Sequence, residues 1–272
     1  MRKVEFITLA LCISIVFGCG PKRVSKGESD ETLYKMAMED LEAEDGGFPW
    51  IFSGTDYENI LKTLKEIQLR YTYSPYATLA ELRTADTYFK KEEYEQAAFE
   101  YGEFIKRHPN HEETPYAVYR LGLSYYQEMR GADRDPTYAR EAVRWFDELI
   151  RNYPDSAYVD KAKKKRARAR EELAEREIYI GKFYKRRENF KAAAGRFQVV
   201  VNEYSDTNKF EEALFLLGES YLEMDETKLA RETLERVVEE FPGAEYSDDA
   251  TELLSEIGKT EVGKKEKAKA EE

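Results

Sequence analysis

His108 and His111 are the only imidazoles in the chain, and Cys12 and Cys19 the only thiols. Two histidines three apart can share a zinc ion when a helix places them on one face and further Cys or carboxylate ligands complete the tetrahedron. Here Pro109-Asn110 separates them at a turn, which breaks the helical spacing, and no Cys can contribute. Metal ligation is therefore not expected. There is no Gly-rich phosphate loop, nucleophile elbow or metalloprotease motif, and among 55 acidic residues carboxylate pairs arise by chance. The sequence offers no catalytic constellation and calls for no cofactor. Binding, rather than catalysis, is the expected activity.

The cysteines point to a different chemistry, that of a thiol as acyl acceptor. Arg2 and Lys3 precede an apolar run from Phe6 to Phe17, long enough for the core of an export signal and too short to cross a bilayer, which takes roughly 20 residues. The run ends in Val16-Phe17-Gly18-Cys19, similar to the lipobox of bacterial lipoproteins, in which the cysteine is lipidated and becomes the first mature residue. Residues 1–18 are read as the signal peptide and Cys19 as the lipidation site. Cys12 leaves with the signal, so the mature chain has neither a free thiol nor a disulfide. Gly20, where an Asp would hold the protein at the inner membrane, points to outer-membrane delivery. Residues 19–31 are polar and aperiodic, a tether reaching on the order of 18 Å over eleven residues.

The net charge of −12 repels nucleic acid and anionic lipid from the chain as a whole, and export separates it from nucleic acid altogether. At the other end, residues 259–272 are a Lys/Glu/Ala tract expected to be a disordered charged tail.

Between these ends the elements are set by a repeat. The tetratricopeptide unit is a pair of antiparallel helices, with a small residue and an aromatic three apart on the first. The second carries an Ala and, four residues on, a bulky side chain; a Pro closes the unit. Ala85, Tyr88, Ala97, Tyr101 and Pro109 fit without a gap, as do Gly218, Tyr221, Ala230, Leu234 and Pro242. Gly181, Tyr184, Ala193 and Phe197 fit with Ser205 in place of Pro. Gly122, Tyr125, Ala142, Phe146 and Pro154 fit around an insertion holding Gly131-Ala132-Asp133-Arg134-Asp135-Pro136. A degenerate first unit has Ala37, Ile60, Leu64 and Thr72 and an enlarged loop with Phe48-Pro49-Trp50-Ile51-Phe52. Small residues let helices approach, and units must stack because one pair cannot bury its apolar face. The expected fold is an all-α tetratricopeptide-repeat solenoid of five helix pairs.

The spacing from Pro154 to Gly181 exceeds that from Pro109 to Gly122 by 14 residues, about four turns or roughly 21 Å of helix. A long connecting helix should therefore join an N-terminal three-repeat half, residues 32–160, to residues 161–258, the connecting helix with a two-repeat half. Its basic run, Lys161, Lys163, Lys164, Lys165, Arg166, Arg168 and Arg170, goes all round the helix and so forms no lipid-binding face. The expected balance is with Glu171, Glu172, Glu175 and Glu177; a docking surface for an acidic partner or for lipid headgroups is the alternative.

Lipobox, five repeats and long helix, together with Asp133-Arg134-Asp135-Pro136 followed by Ala139, Arg140 and Ala142, Tyr71-Thr72-Tyr73-Ser74-Pro75-Tyr76 and Asn202-Glu203-Tyr204-Ser205-Asp206-Thr207, resemble the BamD family of outer-membrane β-barrel assembly lipoproteins. The enlarged first loop, the basic run and the charged tail depart from that pattern. The resemblance implies a lipid-anchored, periplasm-facing scaffold of the Bam complex. It implies that C-terminal repeats bind the POTRA domains of BamA, with other Bam subunits as partners, and that N-terminal repeats engage C-terminal signals of unfolded outer-membrane proteins. It also marks Arg196, between Gly195 and Phe197, as the partner-binding arginine on the second helix of the fourth repeat. Taken without the resemblance, Arg196 is a solvated helix residue. A pilotin-like or peptidoglycan-coupled tetratricopeptide lipoprotein would share fold and location.

Overall fold

The computed structural model describes residues 27–42 and 56–270. Cys19 and the Phe48 to Phe52 segment lie outside the described residues. The described residues form eleven α-helices and no strand: Asp30–Glu42 (α1), Tyr57–Arg70 (α2), Pro75–Lys90 (α3), Tyr94–Arg107 (α4), Thr114–Gln127 (α5), Thr137–Asn152 (α6), Val159–Lys185 (α7), Phe190–Glu203 (α8), Phe210–Leu222 (α9), Thr227–Glu240 (α10) and Ser247–Ala270 (α11). Each helix packs against the next in chain order. The expected five pairs are thus α1/α2 through α9/α10, and α11 covers the apolar face of the last pair with Ala250 and Ile257. A solenoid needs such a closing element, because its terminal unit otherwise exposes the surface that stacks in every other unit.

Local chemistry sets the helix ends. Asp56 and Asn189 cap α2 and α8 by accepting from the amides of Asn59 and Ala192 at 3.1 and 3.2 Å, and Ser74 caps α3, with Pro75 at its first position, where a missing amide proton removes nothing from the helix. Three pairs turn in the same way. Glu92, Glu188 and Asp225 take left-handed φ values of 62°, 57° and 59°, each seven residues after the small residue of its unit. The next amide then bonds back to the signature tyrosine, Glu93 to Tyr88 O, Asn189 to Tyr184 O and Glu226 to Tyr221 O, at 3.0, 3.1 and 2.9 Å. These are the six-to-one bonds of a Schellman turn, and they recur in one register although the turn residues differ.

The bulky second-helix residue lies over the small first-helix residue of the same pair. A methyl placed on Gly122 would come within 2.9 Å of the Phe146 ring, one on Gly181 within 2.7 Å of Phe197 Cζ, and one on Gly218 within 2.7 Å of Leu234 Cδ2. Tyr101, Phe146, Phe197 and Leu234 are fully buried, whereas the signature tyrosines Tyr88, Tyr125, Tyr184 and Tyr221 are half-buried against the same cores.

α7 belongs to two cores. Ala162 and Ala169 pack with α5 and α6, and Ala174 and Ile178 belong to the core formed with α8, α9, α10 and α11. Its basic run does not find the partners read from the sequence. Only Arg168 pairs with one of those glutamates, Glu171 at 3.0 Å; Arg166 pairs with Asp147 of α6 at 2.8 Å and Arg170 with Asp206, after α8, at 2.6 Å. Lys161 and Lys165 lie over the rings of Tyr158 and Tyr126. Neighbouring elements hold carboxylates closer to these guanidiniums than the next turn of their own helix does. Glu172 instead accepts from Gly131 N at 3.1 Å, and Arg176 donates to the carbonyls of Ala132 and Arg134. The inserted loop is thereby held against the long helix. A second correction concerns the C-terminus, where α11 continues to Ala270 through the tract read as disordered. Ala, Lys and Glu are strong helix formers, so a tract with nothing to bury can still extend a helix already nucleated upstream.

Candidate functional site

The first helices of the first three pairs enclose a cleft of about 560 Å³. Each contributes a helical stripe: Tyr34, Met38, Leu41 and Glu42 from α1, Arg83, Asp86 and Lys90 from α3, and Tyr116 and Arg120 from α5. Asp86 sits at the centre and is 6% exposed. Its Oδ2 accepts from Arg83 Nη1 at 2.5 Å, and its Oδ1 from the hydroxyls of Tyr101 and Tyr116 at 2.5 and 2.7 Å. Arg83 Nε also donates to the Tyr34 hydroxyl at 3.2 Å. Burial, and then the Asp86 charge, push both phenols well above the usual tyrosine range, so they stay protonated and remain donors.

Arg120 is held differently. Its Nε donates to the Tyr101 hydroxyl at 2.9 Å and lies 3.7 Å from Asp86 Oδ1, while its guanidinium carbon stacks 3.8 Å from the centre of the Phe89 ring. Its two terminal amino groups make no hydrogen bond among the described residues. Arg83 and Arg120 therefore share Asp86 in a cleft with an apolar wall, Arg83 also lying 3.7 Å from Glu113 Oε1, and Arg120 presents an open fork of the shape that receives a carboxylate through two parallel bonds. Sequence reading named Tyr101 only as a packing residue of its repeat and singled out none of the others. The available signal was a charged pair, Arg83 and Asp86, set among Leu82, Ala85 and Phe89 on the helix face that packs inward.

Arg196 lies on α8 next to Phe197, as the repeat register requires. Its side chain is 44% exposed, and Nη1 donates to Glu177 Oε2 of α7 at 3.1 Å; Glu177 is only 14% exposed. Arg196 is thus neither free nor merely solvated: it already neutralises a carboxylate of the long helix and has one side open. The two histidines serve the turn they flank, His108 through Glu81 at 2.8 Å and His111 by accepting from Glu113 N at 3.1 Å. No group of metal-binding side chains occurs among the described residues.

The segments that carried the family resemblance are turns and staples. Tyr71 donates to Glu28 O at 2.6 Å, and Ser74 reaches Asp30 across the first pair. Asp135 accepts from Thr137 N at 2.7 Å to start α6, and Thr207 Oγ1 donates to Tyr204 O at 2.7 Å beside the Arg170–Asp206 pair. They close the turns that join one helix to the next.

The family model described as "YfiO: Outer membrane lipoprotein" matches residues 28–237. The chain is 27% identical to the outer membrane protein assembly factor BamD of Neisseria meningitidis serogroup B, over 82% of this chain and 84% of that one. It is 30% identical to BamD of Haemophilus influenzae, covering 86% and 89%, and 25% identical to BamD of Caulobacter vibrioides, covering 94% and 82%.

Proposed function

The chain belongs to the YfiO family of outer membrane lipoproteins, and from that premise we propose that it is an outer-membrane protein assembly factor whose repeats bind proteins at two places. Relatives named as BamD assembly factors cover most of the chain, and this supports membership of a Bam complex at the outer membrane. Cys19 carries the lipid anchor, with the repeats facing the periplasm. The C-terminal repeats hold the POTRA domains of BamA, where Arg196 contributes, and they approach the other Bam subunits. The N-terminal cleft receives the C-terminal signal of an unfolded outer-membrane protein.

The observation that carries the last point is the open fork of Arg120 beside the saturated Asp86. A peptide's terminal carboxylate fits that fork, and its last side chain fits the Met38 and Leu41 wall. Arg120→Ala should weaken binding of a labelled peptide with a free C-terminus at least tenfold, about 1.4 kcal/mol, and bring it to the level of the same peptide amidated. Fluorescence anisotropy measures both. Equal affinity of free and amidated peptides for the unaltered protein would remove the cleft from this role.

Cys19→Ala should abolish palmitate labelling and release the protein from the outer-membrane fraction. Label that persists in the variant would show that another residue carries the lipid.

For Arg196, the internal pair shapes the test. Arg196→Glu should weaken POTRA affinity at least tenfold and more than Arg196→Ala, since it adds repulsion to lost attraction. Glu177→Gln frees the guanidinium and should maintain or raise affinity. If Glu177→Gln weakens binding as much as Arg196→Glu does, Arg196 acts only as an internal brace.

A further inference from the structure

α6 and α7 form the walls of a second cleft, of about 380 Å³, where the third repeat meets the fourth. On α6, Arg140, Arg144, Asp147 and Arg151 fall at i, i+4, i+7 and i+11, one stripe of a helix. Arg170 faces them from α7, and Val143, Leu173 and Tyr204 give the cleft an apolar floor. Charge inside it is unevenly spent. Asp147 is taken by Arg166 at 2.8 Å, and Arg170 by Asp206 at 2.6 Å. Arg144 and Arg151 pair only with Glu141 and Glu148 of their own helix while 61% and 71% exposed, and pairs so exposed are weakly held. Arg140 is exposed, and its side chain makes no ion pair or hydrogen bond among the described residues. In a chain of net charge −12, this is a positive groove with an apolar base.

We propose that the groove docks an extended acidic segment of a partner protein, with carboxylates on the forks of Arg140 and Arg144 and one aliphatic or aromatic side chain on the Leu173 and Tyr204 floor. Charge complementarity selects the sign of the partner, and the concave shape selects a strand over a membrane. Glu141 and Glu148 alternate with the arginines along α6, so a flat sheet of anionic headgroups meets repulsion where a single strand can keep its register. Neither Arg196 nor a residue of the N-terminal cleft lines the groove.

The test uses the full-length protein in nonionic detergent and the fluorescein-labelled peptide Asp-Glu-Leu-Phe-Asp-Glu. Its C-terminus is amidated, so that the Arg120 fork has no terminal carboxylate to hold. The expected result is salt-sensitive binding that weakens at least tenfold when Asn and Gln replace Asp and Glu in the peptide. Binding should weaken as much in the double variant Arg140→Glu, Arg144→Glu, with the melting temperature unchanged. Lys164→Glu alters an exposed cation of the same basic run outside the cleft and should stay within twofold of the unaltered protein. Three results overturn the proposal: unchanged binding in the double variant, equal weakening by Lys164→Glu, or equal binding of the neutral peptide. Phosphatidylglycerol vesicles captured by the protein and lost from the double variant, with the acidic peptide unaffected, would assign the groove to lipid instead.

Discussion

Phe197→Ala should lower the free energy of unfolding by about 3–5 kcal/mol, the range for removing a fully buried aromatic ring from a core that relaxes only partly. Phe197 is 0% exposed and lies over Gly181 in the core that joins α7 to the last two pairs. The same geometry makes a second variant informative. Gly181→Ala alone puts a methyl within 2.7 Å of Phe197 Cζ and should destabilise by about 1–3 kcal/mol through overpacking. With Phe197 already truncated, that methyl enters the vacated space, and the helix gains about 1 kcal/mol from replacing Gly by Ala. The effect of Gly181→Ala should therefore change sign between the two backgrounds. Urea unfolding of the four proteins completes the cycle. Additive losses would mean that these residues do not share a cavity and that the fourth repeat is packed in another register.

The second large effect belongs to Asp86. Asp86→Ala leaves Arg120 without its counter-charge, Arg83 with only the longer Glu113 pair at 3.7 Å, and the buried Tyr101 hydroxyl without its acceptor. Removing one partner from a buried ionic network costs about 3–5 kcal/mol, whereas replacing the whole network by apolar residues of similar size is often neutral. The triple variant Arg83→Met, Asp86→Leu, Arg120→Met should therefore recover much of the stability lost in Asp86→Ala, yet bind no free-carboxylate peptide. Recovery of stability without binding would show that the network serves recognition. A loss below about 1 kcal/mol in Asp86→Ala would contradict its central position, and peptide binding by the triple variant would move the ligand elsewhere.

Much of the architecture was legible before any coordinates. A small residue, an aromatic, an Ala and a bulky residue at helical spacing specify two helices and the faces they turn to each other, and the 14 additional residues before Gly181 specify α7. These are contacts within one pair or along one helix, where 3.6 residues per turn convert spacing directly into geometry. The Schellman turns at Glu92, Glu188 and Asp225 were less legible, because residues other than Gly adopt the left-handed conformation there. Their common position follows from the helix pair they close.

What the sequence by itself determined, then, is the helix pairs, their number and order, the small-to-bulky contacts at Gly122, Gly181 and Gly218, and the register that sets Arg196 beside Phe197. Only the tertiary structure decided which charges meet. Tyr34, Arg83, Asp86, Tyr116 and Arg120 come from three helices spread over nearly ninety residues; Asp147 and Asp206 reach α7 from α6 and from the turn after α8, and Glu177 of α7 meets Arg196 of α8. Such pairings depend on the angle and rotation between successive pairs, which sum over every interface in the stack. A difference of one residue in helix length turns a side chain by about 100°. Spacing within a repeat carries no record of that sum, so the cleft, the pairing of Arg196 with Glu177 and the positive groove along α6 exist only once the repeats are stacked.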